Sequence, residues 1–396
     1  MEAIVLAGGL GTRLRSVVHD IPKCMAPIGE DPFLSYVLDW LSRYGVTHVV
    51  LSVGYLKESI TEWVSSREYP FEIVYAVEEE PLGTGGGIKL ALSLCRERKV
   101  VVVNGDTFYP VCLDAMPFDS PLTVALKPMK DFDRYGAVTV TPDRFGGLNG
   151  GVQILAFKEK QPVKEGLING GVYALNGLDL SGFPEKFSFE KEVLEPFSAQ
   201  GKVRGWVSDS FFLDIGVPED YALAQTELPM YRTVKEASAK VLASDADTLF
   251  LDRDGTVNRH IEGDYVRTWE QFEFLPGILE EFPKWASRFR HIIMVTNQRG
   301  VGKGLMTDAA LADIHSRMLR SIQAAGGRID AILTCTAVSD DDPRRKPNLG
   351  MYREARALFP DISKAVMLGD GKCDMEFAAN AGIEFVAVSC NLEIIN

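Results

Sequence analysis

No stretch of this chain approaches the roughly 20 consecutive apolar residues that span a bilayer, so a membrane partner is not expected. The N-terminus runs from Met1-Glu2-Ala3 straight into an apolar run with no basic segment ahead of it, so no signal peptide is expected. Cysteine is sparse. The six residues (Cys24, Cys95, Cys112, Cys335, Cys373 and Cys390) form no CxxC pair, which speaks against a disulfide scaffold and reads as reduced thiols of a cytoplasmic protein. Positive charge is also in deficit: a net charge of −13 and the lack of a basic stripe disfavour nucleic acid as a partner. Histidine is rare, and His19, His48 and His315 stand alone, as surface or packing residues do. Repeats and low-complexity segments are lacking too.

The 396 residues exceed one ordinary core and suit two domains, with the apolar and charged fractions (46% and 24%) of a globular protein. Strand-like runs at Ala3–Leu6, Val46–Val53, Glu72–Val77 and Val100–Val103 alternate with helical spacing at Phe33–Tyr44, Lys57–Ser65 and Gly85–Cys95. This alternation predicts a parallel sheet covered by helices. Residues 120–215 carry short strands and Gly turns, as an acceptor-binding lobe continuing the sheet would. A charged helical stretch fills 218–245, and the βα alternation restarts at Thr248. The division expected is 1–230, a linker over 231–246, and 247–396, with the boundary near residue 240. The fold class expected is α/β, two Rossmann-like doubly wound domains, the first with a mixed sheet.

Residues 3–15 read AIVLAGGLGTRLR, with Pro22-Lys23 following. Leu6 and Ala7 lead into Gly8, Gly9 and Gly11, which let backbone N–H groups approach phosphate oxygens. Arg13 and Lys23 supply cationic partners. A second Gly-rich turn, Glu80-Pro81-Leu82-Gly83-Thr84, suits a base. Asn104-Gly105-Asp106 ends an apolar strand, where ligands bind in open α/β sheets; Asp106 there, with Asp214, suits Mg²⁺. Together these motifs resemble the sugar-1-phosphate nucleotidyltransferase family over residues 1–228, and among its members the heptose 1-phosphate guanylyltransferases. The resemblance implies that Gly8, Gly9, Gly11 and Thr12 hold the nucleotide, with Arg13 on the β,γ-phosphates and Lys23 at the α-phosphate. Asp106 and Asp214 hold the metal, and Lys160, Asn169, Gly170 and Glu190 contact the acceptor sugar.

Residues 248–256 read TLFLDRDGT, an apolar strand delivering Asp252 and Asp254. Thr296-Asn297-Gln298, Arg345-Lys346-Pro347 and Gly369-Asp370 follow in order, with Asp374 four residues on. The set resembles the haloacid dehalogenase phosphohydrolases over 247–396. In that reading Asp252 attacks phosphorus, and Asp254 protonates the leaving alkoxide and then activates water. Mg²⁺ sits on Asp252, the Asp254 carbonyl and Asp370. Thr296 and Lys346 hold phosphoryl oxygens, and Asn297, Gln298 and Arg345 contact substrate. Only 43 residues lie between Asp252 and Thr296, too few for a cap domain. The segments around NRHIEGDYV and TNQRGVGKG resemble the heptose bisphosphate and histidinol-phosphate phosphatases, which often carry a Cys/His zinc loop. Here Cys335 stands without a His, so no zinc is expected.

A phosphatase that removed the anomeric phosphate would destroy the transferase's acceptor. The pairing therefore points to a sugar bisphosphate, heptose 1,7-bisphosphate with GTP, and to GDP-heptose as the product. Mannose 1-phosphate with GTP, N-acetylmuramic acid 1-phosphate with UTP, and a regulatory sensor domain stay open as alternatives, as does the oligomeric state.

Overall fold

The computed structural model describes residues 1–9, 14, 20–141 and 151–388, apart from the side chains of 159 and 160. Gly11, Thr12, Arg13 and His19 lie outside the described residues. Two compact units make up the chain, Met1–Thr226 and Glu227–Asn396.

The first unit is built on nine strands in the order β5-β4-β1-β6-β11-β8-β12-β10-β9. β1 (Glu2–Leu6), β4 (His48–Val53), β5 (Glu72–Val77) and β6 (Lys99–Asn104) are parallel, and their near-continuous Val/Ile/Leu runs are what a sheet buried on both faces requires. Two ribbons of two-residue strands pair antiparallel: β2 (Pro27–Ile28) with β3 (Asp31–Pro32), and β7 (Thr107–Phe108) with β13 (Leu213–Asp214). β8 (Leu122–Phe132), β9 (Gly136–Val140), β10 (Gly151–Lys160), β11 (Val163–Asn176) and β12 (Arg204–Val207) continue the sheet in mixed directions. Helices α1 (Phe33–Leu41), α2 (Lys57–Ser65), α3 (Gly83–Leu92) and the short α4 (Glu195–Ala199) connect them. Register puts Leu6 beside Asn104 and Ser52, so the turns after β1, β4 and β6 open at one end of the sheet.

The second unit holds a five-stranded parallel sheet, β16-β15-β14-β17-β18. Its strands are β14 (Thr248–Leu251), β15 (His291–Asn297), β16 (Ala331–Cys335), β17 (Ala365–Gly369) and β18 (Glu384–Ala387). Around them lie α6 (Phe282–Arg288), α7 (Arg299–Gly302), α8 (Asp308–Ala324), α9 (Gly350–Leu358) and α10 (Lys372–Ala381). Between β14 and β15 the described residues form only one single-turn helix, Trp269–Gln271, and α6, so no cap covers the strand ends. No described helix is long and apolar enough to cross a membrane.

The expected linker is not a free tether. Helix α5 runs unbroken over Pro218–Ala243, and Val234, Ala237, Val241 and Ala246 are buried in the second unit's core with Leu249 and Trp285. Its period-3.6 apolar face, hidden from a composition reading by the flanking Lys and Glu, draws it in. Lys235 is buried there. Its Nζ donates to Gly277 O at 3.0 Å, Glu280 Oε2 at 2.6 Å and Glu281 Oε1 at 2.5 Å, and Ser238 Oγ donates to Glu281 Oε2 at 2.7 Å. Removing one partner of such a group strands a buried charge. Lys235→Ala is accordingly expected to destabilise this unit by about 3 kcal/mol, to be read from denaturant melts against a Lys240→Ala control on the exposed face of the same helix.

Candidate active sites

In the first unit the β6 end delivers Asp106 and the short strand β13 delivers Asp214. Lys23 lies between them, with Nζ 2.7 Å from Asp106 Oδ2 and 3.3 Å from Asp214 Oδ1. Burial, with the nearby Asp106 charge, raises the Asp214 carboxyl against the pull of Lys23. Among the described residues this triad sets two acids against one lysine, a donor set that a hard divalent cation fits.

The backbone around the triad is drawn tight. Ala7 N donates to Ser52 O at 2.8 Å and Gly105 N to Leu6 O at 3.0 Å, so Leu6, Ala7, Gly8 and Gly105 share one floor. Glu78 ties two loops together: it accepts from Ser52 Oγ at 2.7 Å and from Leu82 N at 3.1 Å, and its carboxylate backs Gly8. Sequence reasoning missed Glu78 because its role is set by β5 lying beside β4. Gly83 has φ +73°, and a Cβ there would lie 2.6 Å from Phe187 O, so only glycine fits this turn. Glu80 and Pro81 are exposed in the same turn, and Gly9 is exposed in the first.

Thr84 and Glu190, 106 residues apart, meet at 2.6 Å. Asn169 donates to Tyr173 Oη at 3.0 Å and accepts from Gly171 N, while Gly170 packs against the Tyr109 ring and Asn104 lies against Gly171. A cavity lined by Arg134, Tyr135, Gly136, Asn169, Asp214 and Gly216 opens beside the triad. Arg134, paired with Asp220 at 2.8 Å, is a cation at this cavity that sequence reasoning did not single out. Lys160 ends β10 opposite Gly136, with its side chain outside the described set.

In the second unit two strand ends and the start of a helix converge. Asp252 follows β14, Asp370 follows β17, and Asp374 stands in the first turn of α10; oxygens of all three lie within 4.8 Å of one another. Lys346 is buried and bridges two of them, with Nζ 2.6 Å from Asp252 Oδ1 and 2.5 Å from Asp374 Oδ1. Burial, opposed by Lys346 and reinforced by Asp374 and Asp370, pushes Asp252 up to about 8. Burial and Asp374 push Asp370 up to about 6 against His260 and Lys346. Three carboxylates facing one ammonium fit a divalent cation, which would relieve that repulsion. Gly255, at φ +87°, passes so close to Asp370 that a Cβ would lie 1.9 Å from its Oδ2.

Several expected roles shift. The Asp254 carboxylate lies outside the acidic cluster. Burial would raise it, but the Arg253 fork at 2.8 and 2.9 Å, Asn258 at 2.9 Å and Gln298 at 2.7 Å hold it below the usual range. Asp374, which the sequence marks by its i+4 spacing from Asp370 without a metal role, joins Asp252 and Asp370 in the group of carboxylates that could hold a metal ion. Gln298 is buried and spends its amide on Asp254 and Thr296 Oγ1 (2.8 Å). Asn297 clamps the Lys346 backbone in both directions, each at 3.0 Å. Lys346 lies on two carboxylates, Asp252 and Asp374. Arg253, between the two aspartates of the motif, is fully buried and donates to His315 Nε2 at 3.2 Å. Burial and the Arg253 charge push His315 down to about 4, so the ring is neutral and accepts through Nε2.

Comparison with known proteins gives the family of each unit. The nucleotidyl transferase family model matches residues 2–229, and the polynucleotide kinase 3 phosphatase model matches residues 240–388. D-glycero-alpha-D-manno-heptose 1-phosphate guanylyltransferase of Aneurinibacillus thermoaerophilus is 47% identical over 238 residues, covering 58% of this chain and 100% of that protein. D-glycero-alpha-D-manno-heptose-1,7-bisphosphate 7-phosphatase of Mycobacterium tuberculosis is 38% identical over 135 residues, covering 33% of this chain and 71% of that one. The crystal structure of HddC from Yersinia pseudotuberculosis complexed with GMP-PN is 35% identical with a TM-score of 0.51, covering 57% of this chain and 97% of that chain. Lys23 between its two aspartates and Asp252 beside Lys346 thus sit in recognised frames: the chain belongs to the nucleotidyl transferase family through its first unit and continues into a phosphatase domain, an enzyme with both activities.

Proposed function

We propose that this enzyme makes GDP-heptose from D-glycero-D-manno-heptose 1,7-bisphosphate and GTP in two steps. Water first releases the 7-phosphate as inorganic phosphate. The remaining heptose 1-phosphate then attacks the α-phosphorus of GTP, and pyrophosphate leaves. The observation that carries this reading is the presence of two complete charged centres on one chain, Lys23–Asp106–Asp214 and Lys346–Asp252–Asp374. A phosphatase is compatible with a C1-dependent transferase only if it spares C1.

In the first step Asp252 is the nucleophile and Asp254 the acid/base, held in place by Arg253 and Gln298. Thr296 and Lys346 receive the phosphoryl oxygens. In the second, Lys23 neutralises the α-phosphate, and the loops carrying Leu6, Ala7, Gly8, Gly9, Gly11, Thr12, Arg13 and Glu80–Thr84 hold GTP. Asn169, Glu190 and Lys160 take the sugar, with Arg134 beside its phosphate. Asp106 with Asp214, and Asp252 with Asp370, Asp374 and the Asp254 carbonyl, would hold Mg²⁺, which offsets phosphate charge in both steps. The uncapped phosphatase face admits a seven-carbon sugar. Small soluble substrates and the reduced cysteines suit the cytoplasm, with neither nucleic acid nor membrane as partner and no zinc.

The test is mass spectrometry of products from the full chain, Mg²⁺, GTP and each anomer of the bisphosphate. GDP-heptose from one anomer is expected. Heptose 1-phosphate without GDP-heptose would move the assignment to another nucleotide, and no dephosphorylation would sink the heptose assignment. Chelating divalent ions with EDTA is expected to silence phosphate and pyrophosphate release alike, with added Mg²⁺ restoring both. Persistence of either reaction in EDTA would remove the metal from that site.

A further inference from the structure

Arg253 stands between the two aspartates of the phosphatase motif, and its side chain is wholly buried. The side chain turns back on the residue that follows it. Nε lies 3.2 Å from Asp254 Oδ1, and Nη2 donates to Oδ1 at 2.8 Å and to Oδ2 at 2.9 Å. One edge of the planar group is spent on that carboxylate. From the other edge Nη1 donates to His315 Nε2 at 3.2 Å. Asp254 and His315 are the acceptors of this guanidinium among the described residues. A buried guanidinium needs acceptors on both edges, because an N–H that loses its water and finds no partner costs free energy.

His315 reaches this arginine from 62 residues further along the chain. Helix α8 carries it, one turn after Leu311, and Leu311, Ile314, Met318 and Ile322 are buried in the core of this unit. The i, i+4 spacing from Leu311 puts His315 on the same inward face. The Thr307 hydroxyl caps the helix start, accepting from Ala310 N at 3.1 Å. The place of the ring is therefore set by core packing. Burial and the Arg253 charge keep the ring neutral, so Nε2 accepts from Nη1 without adding a second cation.

We propose that His315 is a positioning residue for the acid/base Asp254 and acts through Arg253: by taking one edge of the guanidinium, it turns the other edge onto both carboxylate oxygens. The proposal rests on the reading above in which Asp254 protonates the leaving group. As Asp252 attacks phosphorus, the bond from phosphorus to the sugar oxygen breaks. Its electron pair stays on that oxygen, which takes the proton of the Asp254 carboxyl. The transfer needs that carboxyl within hydrogen-bond reach of the leaving oxygen. Asn258 and Gln298 each hold one of its oxygens, at 2.9 and 2.7 Å, and the arginine fork sets its plane. Such a group stays in place only when the residues behind it are locked in turn. Without an acceptor behind Nη1 the fork loses its fixed plane, and a displacement of about 1 Å at a reacting group costs up to about 100-fold in rate.

The test compares kcat/KM for two esters on the full chain. Heptose 1,7-bisphosphate loses an alkoxide that must be protonated as it leaves, whereas p-nitrophenyl phosphate loses a phenolate that needs no proton. kcat/KM covers the steps up to release of the alcohol, so later hydrolysis of the aspartyl phosphate does not enter. In His315→Leu the value for the bisphosphate is expected to fall by about 10- to 100-fold, and that for the aryl ester by less than about threefold. His315→Gln offers a side-chain carbonyl to Nη1 in place of Nε2 and is expected to recover most of the loss. A fall of equal size on both esters, no fall on either, or a Gln variant no better than Leu would make His315 a packing residue and overturn the proposal. Asp254→Asn separates the proposal from the reading beneath it. A loss confined to the bisphosphate in Asp254→Asn, with an unchanged ester ratio in His315→Leu, would remove only the role of His315. Equal losses on both esters in Asp254→Asn would remove the acid/base reading itself, and the role of His315 with it.

Discussion

Asp252→Asn is expected to lower phosphate release from heptose 1,7-bisphosphate by about 10⁴-fold or more, as loss of a covalent nucleophile does. Pyrophosphate release from GTP and supplied heptose 1-phosphate should stay within about twofold of the unaltered protein. The amide matches the carboxylate in volume, so packing at the β14 end survives, and Lys346 keeps Asp374 as a partner at 2.5 Å. What disappears is the anionic oxygen that attacks phosphorus. Phosphate and pyrophosphate are assayed separately on the same preparation. A parallel loss of pyrophosphate release would show that the two centres are not independent.

The reverse experiment is Lys23→Ala. Its Nζ is the cation that the structure places between Asp106 and Asp214. Without it, two carboxylates face the incoming triphosphate with one positive charge fewer. A fall in pyrophosphate release of about 10²- to 10³-fold is expected, the size seen when one preorganised electrostatic contact is removed. Phosphate release should be unaffected. Lys23→Arg should rescue little, because a planar fork does not reproduce a point charge held by two carboxylates. Near-normal transfer in Lys23→Ala would remove this lysine from the reaction. The companion change Asp106→Asn should likewise abolish transfer and spare the phosphatase.

Both experiments rest on residues whose chemistry is legible in the linear chain. Apolar runs ending in Gly-rich or Asp-bearing turns announce strand ends, and β1, β14 and β17 deliver Gly8, Asp252 and Asp370 where that pattern places them. The partnerships of those residues were not legible. Lys23 and Asp214 are 191 residues apart, and Thr84 and Glu190 are 106 apart; only the sheet order brings each pair together. Asn297 and Gln298 read as ligand contacts because they follow a motif threonine. Folding turns their amides onto Lys346 and Asp254, where buried donors and acceptors must be paired. The linker expected over 231–246 became core because the apolar stripe of α5 had a sheet face to cover.

By itself, then, the sequence determined the two α/β frames, the strand ends that carry the chemistry, and the charge types gathered there. These depend on local periodicity and on residue chemistry, which a linear chain carries in full. The tertiary structure alone decided which charges face one another: Lys346 spanning Asp252 and Asp374, Arg253 restraining Asp254, and Arg299 meeting Arg345 across Asp340. Such pairings are long-range, and their energies depend on burial and on distances of a few ångströms, quantities that exist only once the chain has folded.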